Sequence, residues 1–191
     1  MSTITLTDNA LMFKVKEGDL DKMGLLFERH HRALYSFFVQ MLRQGEQSKD
    51  LVQTVFFKML KSRHTFTGSG PFVTWMYHIA RNVLRDHHRE VKRKGVHTYL
   101  ADEMQQDLVG GVLADERIEK KQELQALAMA MDQLNGQDRE LLILCRYQEL
   151  KYSEIAHLLH ITEGAVKVRV FRALNQLREH YLKVSTEKNC A

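Results

Sequence analysis

The chain has 191 residues, of which 44% are hydrophobic and 27% charged, and its formal net charge is +4. This length and apolar content allow a buried core in one domain or in two small ones. The sequence has no apolar run that could cross a bilayer, no secretion signal over Met1–Asp8 and no cysteine spacing typical of zinc or disulfide frameworks, so we expect a cytoplasmic, reduced protein without membrane insertion.

Helical periodicity runs through most of the chain, and a single proline interrupts it, which predicts an all-α protein. Residues 1–20 are expected to be a tail that leads into the first helix. Apolar residues recur every three or four positions from about Lys22 to Arg43, so we predict a helix there that ends at Gly45. Ser48 is the expected N-cap of a second helix, whose apolar positions run from Leu51 to Leu60.

The third predicted helix follows a loop, Thr65–Gly70, that is identified by its glycine-rich composition. Pro71 suits the first turn of a helix, and the residues after it keep a helical apolar period. The expected inner side contains Phe72, Trp75, Met76, Ile79, Ala80 and Val83. We therefore predict one compact N-terminal helical domain over residues 21–95.

The last turns of the third helix are strongly basic. Six basic residues and two acidic ones lie there: Arg81, Arg85, Arg89, Lys92, Arg93 and Lys94, with Asp86 and Glu90. A solvated end matched to the helix dipole is one explanation. The other is nucleic-acid binding, because aromatic residues cluster around the glycine loop and unstacked bases are held by aromatic faces and neighbouring cations. These aromatics are Phe66, Phe72, Trp75 and Tyr77. For Phe72 and Trp75, a core position is favoured over base contact.

The C-terminal half is predicted to be a second helical domain. Periodicity is lost over residues 96–114, and six acids stand against the single Arg117 between Ala101 and Glu119, which predicts a flexible acidic linker. Helical pattern resumes at about Ile118 and stops at Asn135-Gly136. Asp138 is the expected cap of a helix over Leu141–Tyr147, and Lys151–His160 forms the next one. The domain is expected to span residues 115–184, followed by a tail, 185–191.

The stretch from Tyr152 to Ala173 is typical of a DNA-reading helix-turn-helix, in which the second helix enters the major groove. Thr162 is the expected N-cap of that second helix. At about 100° per residue, one face should pack inward. It contains Val166, Val170, Leu174, Leu177 and Tyr181.

The outward side of this recognition helix carries the candidate DNA contacts. Phe171 is suited to a thymine methyl group and Arg172 to a guanine. Lys167 and Arg169, on the two flanks, are suited to phosphates. An ordinary solvated basic helix is the alternative interpretation.

Four motifs together resemble one family. They are Asp50-Leu-Val-Gln-Thr-Val-Phe56, Phe72-Val-Thr-Trp-Met-Tyr-His-Ile-Ala-Arg-Asn82, Tyr152-Ser-Glu-Ile-Ala156 and Gly164-Ala-Val-Lys-Val-Arg-Val-Phe-Arg-Ala173. The resemblance is to the extracytoplasmic-function group of the sigma-70 family of bacterial RNA polymerase sigma factors, and it covers about Leu25 to Leu182. It implies two helical domains, region two and region four, that bind core RNA polymerase and promoter DNA.

The resemblance also implies roles for individual residues. Docking on core polymerase is expected from Asp50, Gln53 and Phe56. Capture of an unstacked base and strand separation at the minus-ten element are expected from Phe66, Gly68, Ser69, Trp75, Asn82, Arg85 and Arg89. Reading of the minus-thirty-five element is expected from Lys167, Val168, Phe171 and Arg172. A small polar residue often stands at the position of Val168, so an apolar base contact is expected there instead.

Two other functions are compatible with parts of the sequence. A dimeric helix-turn-helix regulator that works without polymerase would explain the recognition helix but leave the aromatic loop and basic turns without a role. Asp86-His87-His88 has the letters of a metal-dependent phosphoesterase motif, yet it lies on a basic helix without the further aspartates. We expect no catalytic residue, no metal and no cofactor. An anti-sigma factor is a further partner that the resemblance implies.

Overall fold

The computed structural model describes residues 6–94, 114–148 and 150–188. All regular structure within those ranges is helical, and the chain separates into two compact units. The all-α, two-domain prediction is confirmed. The expected acidic linker lies outside the described residues, apart from Ala114 at its end.

The first unit is built around four helices: α1 (Asp8–Lys16), α2 (Lys22–Leu42), α3 (Gly45–Lys61) and α4 (Phe72–Lys94). A single 3-10 turn, Arg63–Thr65, follows α3. Apolar side chains at helical spacing on α2, α3 and α4 form the core, as their sequence periods predict. The fully buried ones include Leu26, Leu34, Phe37, Phe38, Val55, Met59, Met76 and Ala80.

Helix α1 corrects the prediction of a tail over residues 1–20. Thr7 caps it, because the Thr7 Oγ1 accepts a hydrogen bond from the Ala10 amide at 3.3 Å. Leu11, Met12 and Val15 are fully buried. Nine residues give little more than two turns of periodicity, so the pattern was too short to separate from a lead-in.

The junction between α2 and α3 differs from the prediction in two positions. Arg43, in a left-handed conformation with φ 57°, ends α2, whereas Gly45 is the first residue of α3. Ser48 lies inside α3 and is fully buried. Its hydroxyl donates to the Gln44 carbonyl oxygen at 2.6 Å, so it is bonded to the preceding turn and does not cap the helix.

The second unit contains α5 (Ala114–Asp132), α6 (Gly136–Leu142), α7 (Tyr152–Leu159) and α8 (Glu163–Lys188). A π-helical turn, Ile143–Tyr147, continues α6 directly. Helix α5 begins before the predicted Ile118, and α8 extends into the predicted tail. The core of this unit includes Ala130, Met131, Leu141, Ile143, Leu144, Ile155, Val166 and Ala173.

Helix α6 begins one turn earlier than predicted, and its cap is Asn135. The Asn135 Oδ1 accepts from the Asp138 amide at 2.9 Å, and the Asn135 Nδ2 donates to the Asp138 carboxylate at 2.6 Å. Asp138 therefore supports the cap from the first turn and is not itself the N-cap.

The tight turn between α7 and α8 forms as predicted. His160 adopts φ 56° just after α7, and the Thr162 Oγ1 accepts from the Ala165 amide at 3.2 Å. Thr162 is therefore the N-cap of α8, which places the outward residues of that helix as the period predicts.

We expect Thr162→Ala to lower the free energy of unfolding by about 1 kcal/mol, because the first turn of α8 loses its side-chain acceptor. Urea unfolding of the full chain measures this, with Thr162→Ser as the control that keeps the hydroxyl. Equal stability of the alanine and serine variants would contradict the capping role.

Candidate nucleic-acid interfaces

An open cavity of about 620 Å³ lies in the first unit, beside the C-terminal end of α3 and the middle of α4. Its lining consists of Lys58, Lys61, Ser62, His64, Thr65, Ile79, Asn82, Arg85, Asp86 and Arg89. Three of the predicted minus-ten residues, Asn82, Arg85 and Arg89, thus share one site. The residues contributed by α3 and by the 3-10 turn were not predicted from the sequence.

The charges of this cavity are arranged for an anionic ligand. Four of the ten lining residues are lysine or arginine, and Asp86 is the one acid among them. The Lys58 Nζ donates to the Asp86 Oδ2 at 2.8 Å, and this hydrogen bond lowers the pKa of the Asp86 carboxyl. Asp86 is therefore ionised at neutral pH and orients Lys58, while Arg85 and Arg89 remain exposed.

Asn82 is positioned by its neighbour one turn along α4. The Arg85 guanidinium donates to the Asn82 Oδ1, which occupies the amide oxygen. The Asn82 Nδ2 lies 3.5 Å from the His78 Nδ1, a contact that uses one of its two N–H groups. The other N–H group of this half-buried carboxamide, at the wall of the basic cavity, can donate to an acceptor atom on the edge of a base.

The aromatic cluster has a different role from the one predicted for Phe66. That ring is only 2% exposed, and its centroid lies 5.2 Å from Phe13 and 5.3 Å from Trp75 in edge-on contacts. Because both faces of the ring are covered by the core, Phe66 in this conformation cannot stack on a base. Phe72 is also buried, as predicted, and Trp75 is half-buried.

The loop after Phe66 exposes polar groups to solvent. Thr67 and Ser69 are exposed, and their hydroxyl oxygens are 2.9 Å apart. Gly68 has φ 71°, a conformation that favours glycine. Gly68 and Ser69 therefore lie on a defined surface loop, consistent with the predicted strand contact.

Two neighbouring phenylalanines of α3, Phe56 and Phe57, differ in their exposure to solvent. Asp50 and Gln53 are exposed, but Phe56 is 6% exposed and packs edge-on against Phe27 with centroids 4.9 Å apart. Phe57 is 59% exposed, with the Lys61 Nζ 5.2 Å from its ring centroid. Phe57 stands seven residues after Asp50 and four after Gln53, so it shares their face. Phe56 is therefore a core residue. The exposed aromatic on this face is Phe57, which was not predicted from the sequence.

The recognition helix α8 keeps most of its predicted outward face. Val168 is 50% exposed, Phe171 is 66% exposed, and Arg172 is exposed. The Lys167 Nζ lies 2.9 Å from the Glu163 carboxylate one turn away, in a solvent-exposed pair. A protruding aromatic beside an arginine on a capped helix is a surface that a major groove can cover.

Arg169 differs from this pattern. Its Nη2 lies 3.4 Å from the Asp138 Oδ1 and 3.4 Å from the Gln137 Oε1, both in the first turn of α6. The guanidinium therefore joins α8 to α6 and is half-buried, whereas the sequence period had placed it on a flank facing phosphates.

Within the residues that the structure describes, no group of three or more His, Cys, Asp and Glu side chains is arranged to hold a metal ion. The same residues include no helix with the length and apolar character needed to span a membrane.

Comparison with known proteins identifies the family. Residues 26–94 match the family described as Sigma-70 region 2, and residues 124–177 match Sigma-70, region 4. The ECF RNA polymerase sigma factor SigX of Bacillus subtilis is 32% identical over 162 residues, which cover 82% of this chain and 81% of SigX. The chain belongs to the extracytoplasmic-function group of sigma-70 factors. As a sigma factor, it binds core RNA polymerase and directs it to promoter DNA.

Two solved structures resemble the fold of this sigma factor. CnrH, in complex with the cytosolic domain of CnrY, has a TM-score of 0.67 at 23% identity and covers 90% of this chain and 95% of CnrH. The sigma factor RpoE of Bartonella quintana, in complex with the anti-sigma factor NepR, has a TM-score of 0.63 at 27% identity, with 87% and 98% covered. The match over both regions favours a polymerase-dependent factor over the dimeric regulator.

Proposed function

We propose that this sigma factor initiates transcription through three surfaces, which contact core polymerase, single-stranded promoter DNA and double-stranded promoter DNA. The first unit, residues 6–94, has the first two surfaces. The helix-turn-helix of the second unit has the third. The basic cavity of the first unit is the feature that supports this division most strongly.

The cavity is the proposed site for an unstacked base of the non-template strand at the minus-ten element. Asn82 donates to the edge of the base, while Arg85, Arg89 and Lys58 contact the phosphates on either side. Extrusion of a base costs a few kcal/mol, and the contacts inside a shaped pocket offset this cost. Binding of the extruded base therefore favours the open duplex without any chemical step by the chain.

The exposed face of α3 is the proposed docking surface for core polymerase. Asp50 and Gln53 supply polar contacts, and Phe57 supplies an exposed aromatic between them and Lys61. Interfaces commonly place an aromatic anchor within a polar rim, and this face has that composition.

The outward face of α8 is the proposed reader of the minus-thirty-five element. Phe171 and Val168 are suited to thymine methyl groups, Arg172 to a guanine edge, and Lys167 to a phosphate. Arg169 is assigned to the contact between α8 and α6 and not to DNA, because its guanidinium already lies beside Asp138.

We further propose that the chain acts in the cytoplasm, where its polymerase works, and catalyses no reaction itself. Polymerase forms every new bond, so binding free energy is all that promoter selection requires. CnrH and RpoE were each solved with a partner, CnrY and the anti-sigma factor NepR. By analogy, an anti-sigma factor is the proposed regulator of this chain.

Run-off transcription tests the proposal directly. Core RNA polymerase without any sigma factor is mixed with the purified chain and fragmented genomic DNA, and the transcript 5′ ends are sequenced. We expect discrete starts preceded by two conserved elements at constant spacing. Starts that are no more specific than those of core polymerase alone would refute the function.

Arg172→Ala and Lys167→Ala are expected to weaken upstream binding in different ways. Loss of Arg172 should cost about 1–3 kcal/mol and relax base preference at one position, because a base-edge contact disappears. Loss of Lys167 should weaken all sequences alike and reduce the salt dependence by about one phosphate contact. Titrations of holoenzyme against promoters substituted at each upstream position measure both effects. Uniform loss in both variants would remove Arg172 from the base-reading residues.

A further inference from the structure

Helix α1 lies outside the region-two match, which begins at residue 26, yet it contacts the loop of residues 66–70 at both ends. At the far end, the Asn9 Nδ2 donates to the Gly70 carbonyl oxygen at 3.0 Å, and the Asn9 Oδ1 accepts from the Phe72 amide at 2.7 Å. The first amides of a helix have no acceptor within the helix. Asn9 therefore caps α4 from a different helix and fixes where the loop ends.

The near end of the loop is held by the same helix. The Lys16 Nζ donates to the Phe66 carbonyl oxygen at 2.6 Å, and the Phe13 ring packs edge-on against the Phe66 ring at 5.2 Å. A Cβ added to Gly68 would overlap the Phe13 ring, so Phe13 lies directly against the loop backbone. A side chain at position 68 would therefore require the Phe13 ring to move, and the φ of 71° there also favours glycine.

Helix α1 is itself attached firmly enough to hold the loop. Leu11, Met12 and Val15 are fully buried on its inner side. The Asp8 carboxylate accepts from the Arg29 Nη1 at 2.6 Å and lies 2.8 Å from the His30 Nε2, both on α2. An ion pair and a buried apolar face therefore anchor α1 to α2, while three other side chains of α1 point to the loop.

We propose that α1 is a positioning element for the minus-ten strand, in which Asn9, Phe13 and Lys16 hold the 66–70 loop, with its predicted strand contacts Gly68 and Ser69, in its binding conformation. This inference rests on the proposed minus-ten role of the first unit. Without such contacts the loop would be ordered only when DNA binds, and the free energy of ordering would be subtracted from that of capture. None of the three residues touches DNA; each acts through the backbone of the loop.

Two substitutions in the full-length chain test the role: Asn9→Ala and Phe13→Ala. Each should reduce promoter opening by core polymerase about tenfold, as expected when one or two side chains and their loop must be ordered on binding. Permanganate reactivity of minus-ten thymines measures opening on a promoter found with the wild-type chain. Discrimination against substituted minus-ten bases should fall as well, whereas affinity for core polymerase and for the upstream duplex should stay unchanged.

Matched variants separate positioning from simple damage to the fold. Asn9→Asp keeps an oxygen acceptor for the Phe72 amide but loses the donor to the Gly70 carbonyl oxygen, so it should recover part of the opening. Lys14→Ala, at an exposed position of the same helix, should behave as wild type. In the free protein, hydrogen exchange of the Phe72 amide should accelerate in Asn9→Ala and not in Lys14→Ala, which reports on the cap without any DNA.

Three results would overturn the inference. The first is wild-type opening and base discrimination in both alanine variants. The second is equal loss of opening, core affinity and upstream binding, without rescue by Asn9→Asp, since this indicates general destabilisation. The third is unchanged exchange of the Phe72 amide in Asn9→Ala. Failure of the wild-type chain to direct initiation is a separate outcome that would refute the proposed function first.

Discussion

Simultaneous replacement of Arg85 and Arg89 by glutamate should abolish promoter opening while the factor still binds core polymerase and the upstream duplex. Both guanidinium groups line the basic cavity, and both are exposed, so neither contributes to the core. A hydrogen bond to a charged group contributes about 1.5–3 kcal/mol, and two such bonds would be replaced by repulsion. The expected loss of open complex is therefore at least about a hundredfold.

The matched control is Lys92→Glu with Arg93→Glu, which makes the same change of net charge on the same helix but outside the cavity lining. Affinity for a single-stranded minus-ten oligonucleotide, measured with holoenzyme over a range of salt, distinguishes the pairs. The cavity variant should lose most of its affinity and part of its salt dependence. Equal losses in the two pairs would mean that the cavity has no special role and that only total charge matters.

The spacing of apolar residues predicted the long helices well because the helical period repeats many times in each. Helices α2, α4 and α8 have 21, 23 and 26 residues, so their apolar stripes are unambiguous, and the Thr162 cap confirmed the start of α8. Helix α1 has nine residues and one short stripe, which composition alone cannot distinguish from a tail. Its proposed role depends on contacts with the 66–70 loop, fifty or more positions away.

Two predicted site residues, Phe56 and Arg169, lie in environments that differ from those expected from the sequence. Phe56 and Phe57 are chemically identical, but Phe56 is buried against Phe27 whereas Phe57 is exposed. Arg169 has a flank position in the period, but the first turn of α6 supplies a carboxylate within its reach. The cavity itself combines α3, the 3-10 turn and α4, so its lining could not be read from one segment.

Alanine substitution should affect stability far more at Phe56 than at Phe57. Phe56→Ala removes a ring that is 6% exposed and should destabilise the first unit by about 3–5 kcal/mol. Phe57→Ala removes a ring that is 59% exposed and should change the free energy of unfolding by less than about 1 kcal/mol, including the lost contact with Lys61. Urea unfolding of the full-length variants measures this difference.

Among variants that fold, affinity for core polymerase should depend on Phe57 and not on Phe56. An aromatic anchor at an interface contributes about 2 kcal/mol or more, so Phe57→Ala should weaken core binding about thirtyfold. Phe56→Leu, which keeps most of the buried volume, is the matched variant and should bind core polymerase normally. Competition with wild-type factor for core polymerase gives both affinities. If Phe57→Ala competes as well as wild type, the docking surface does not include Phe57.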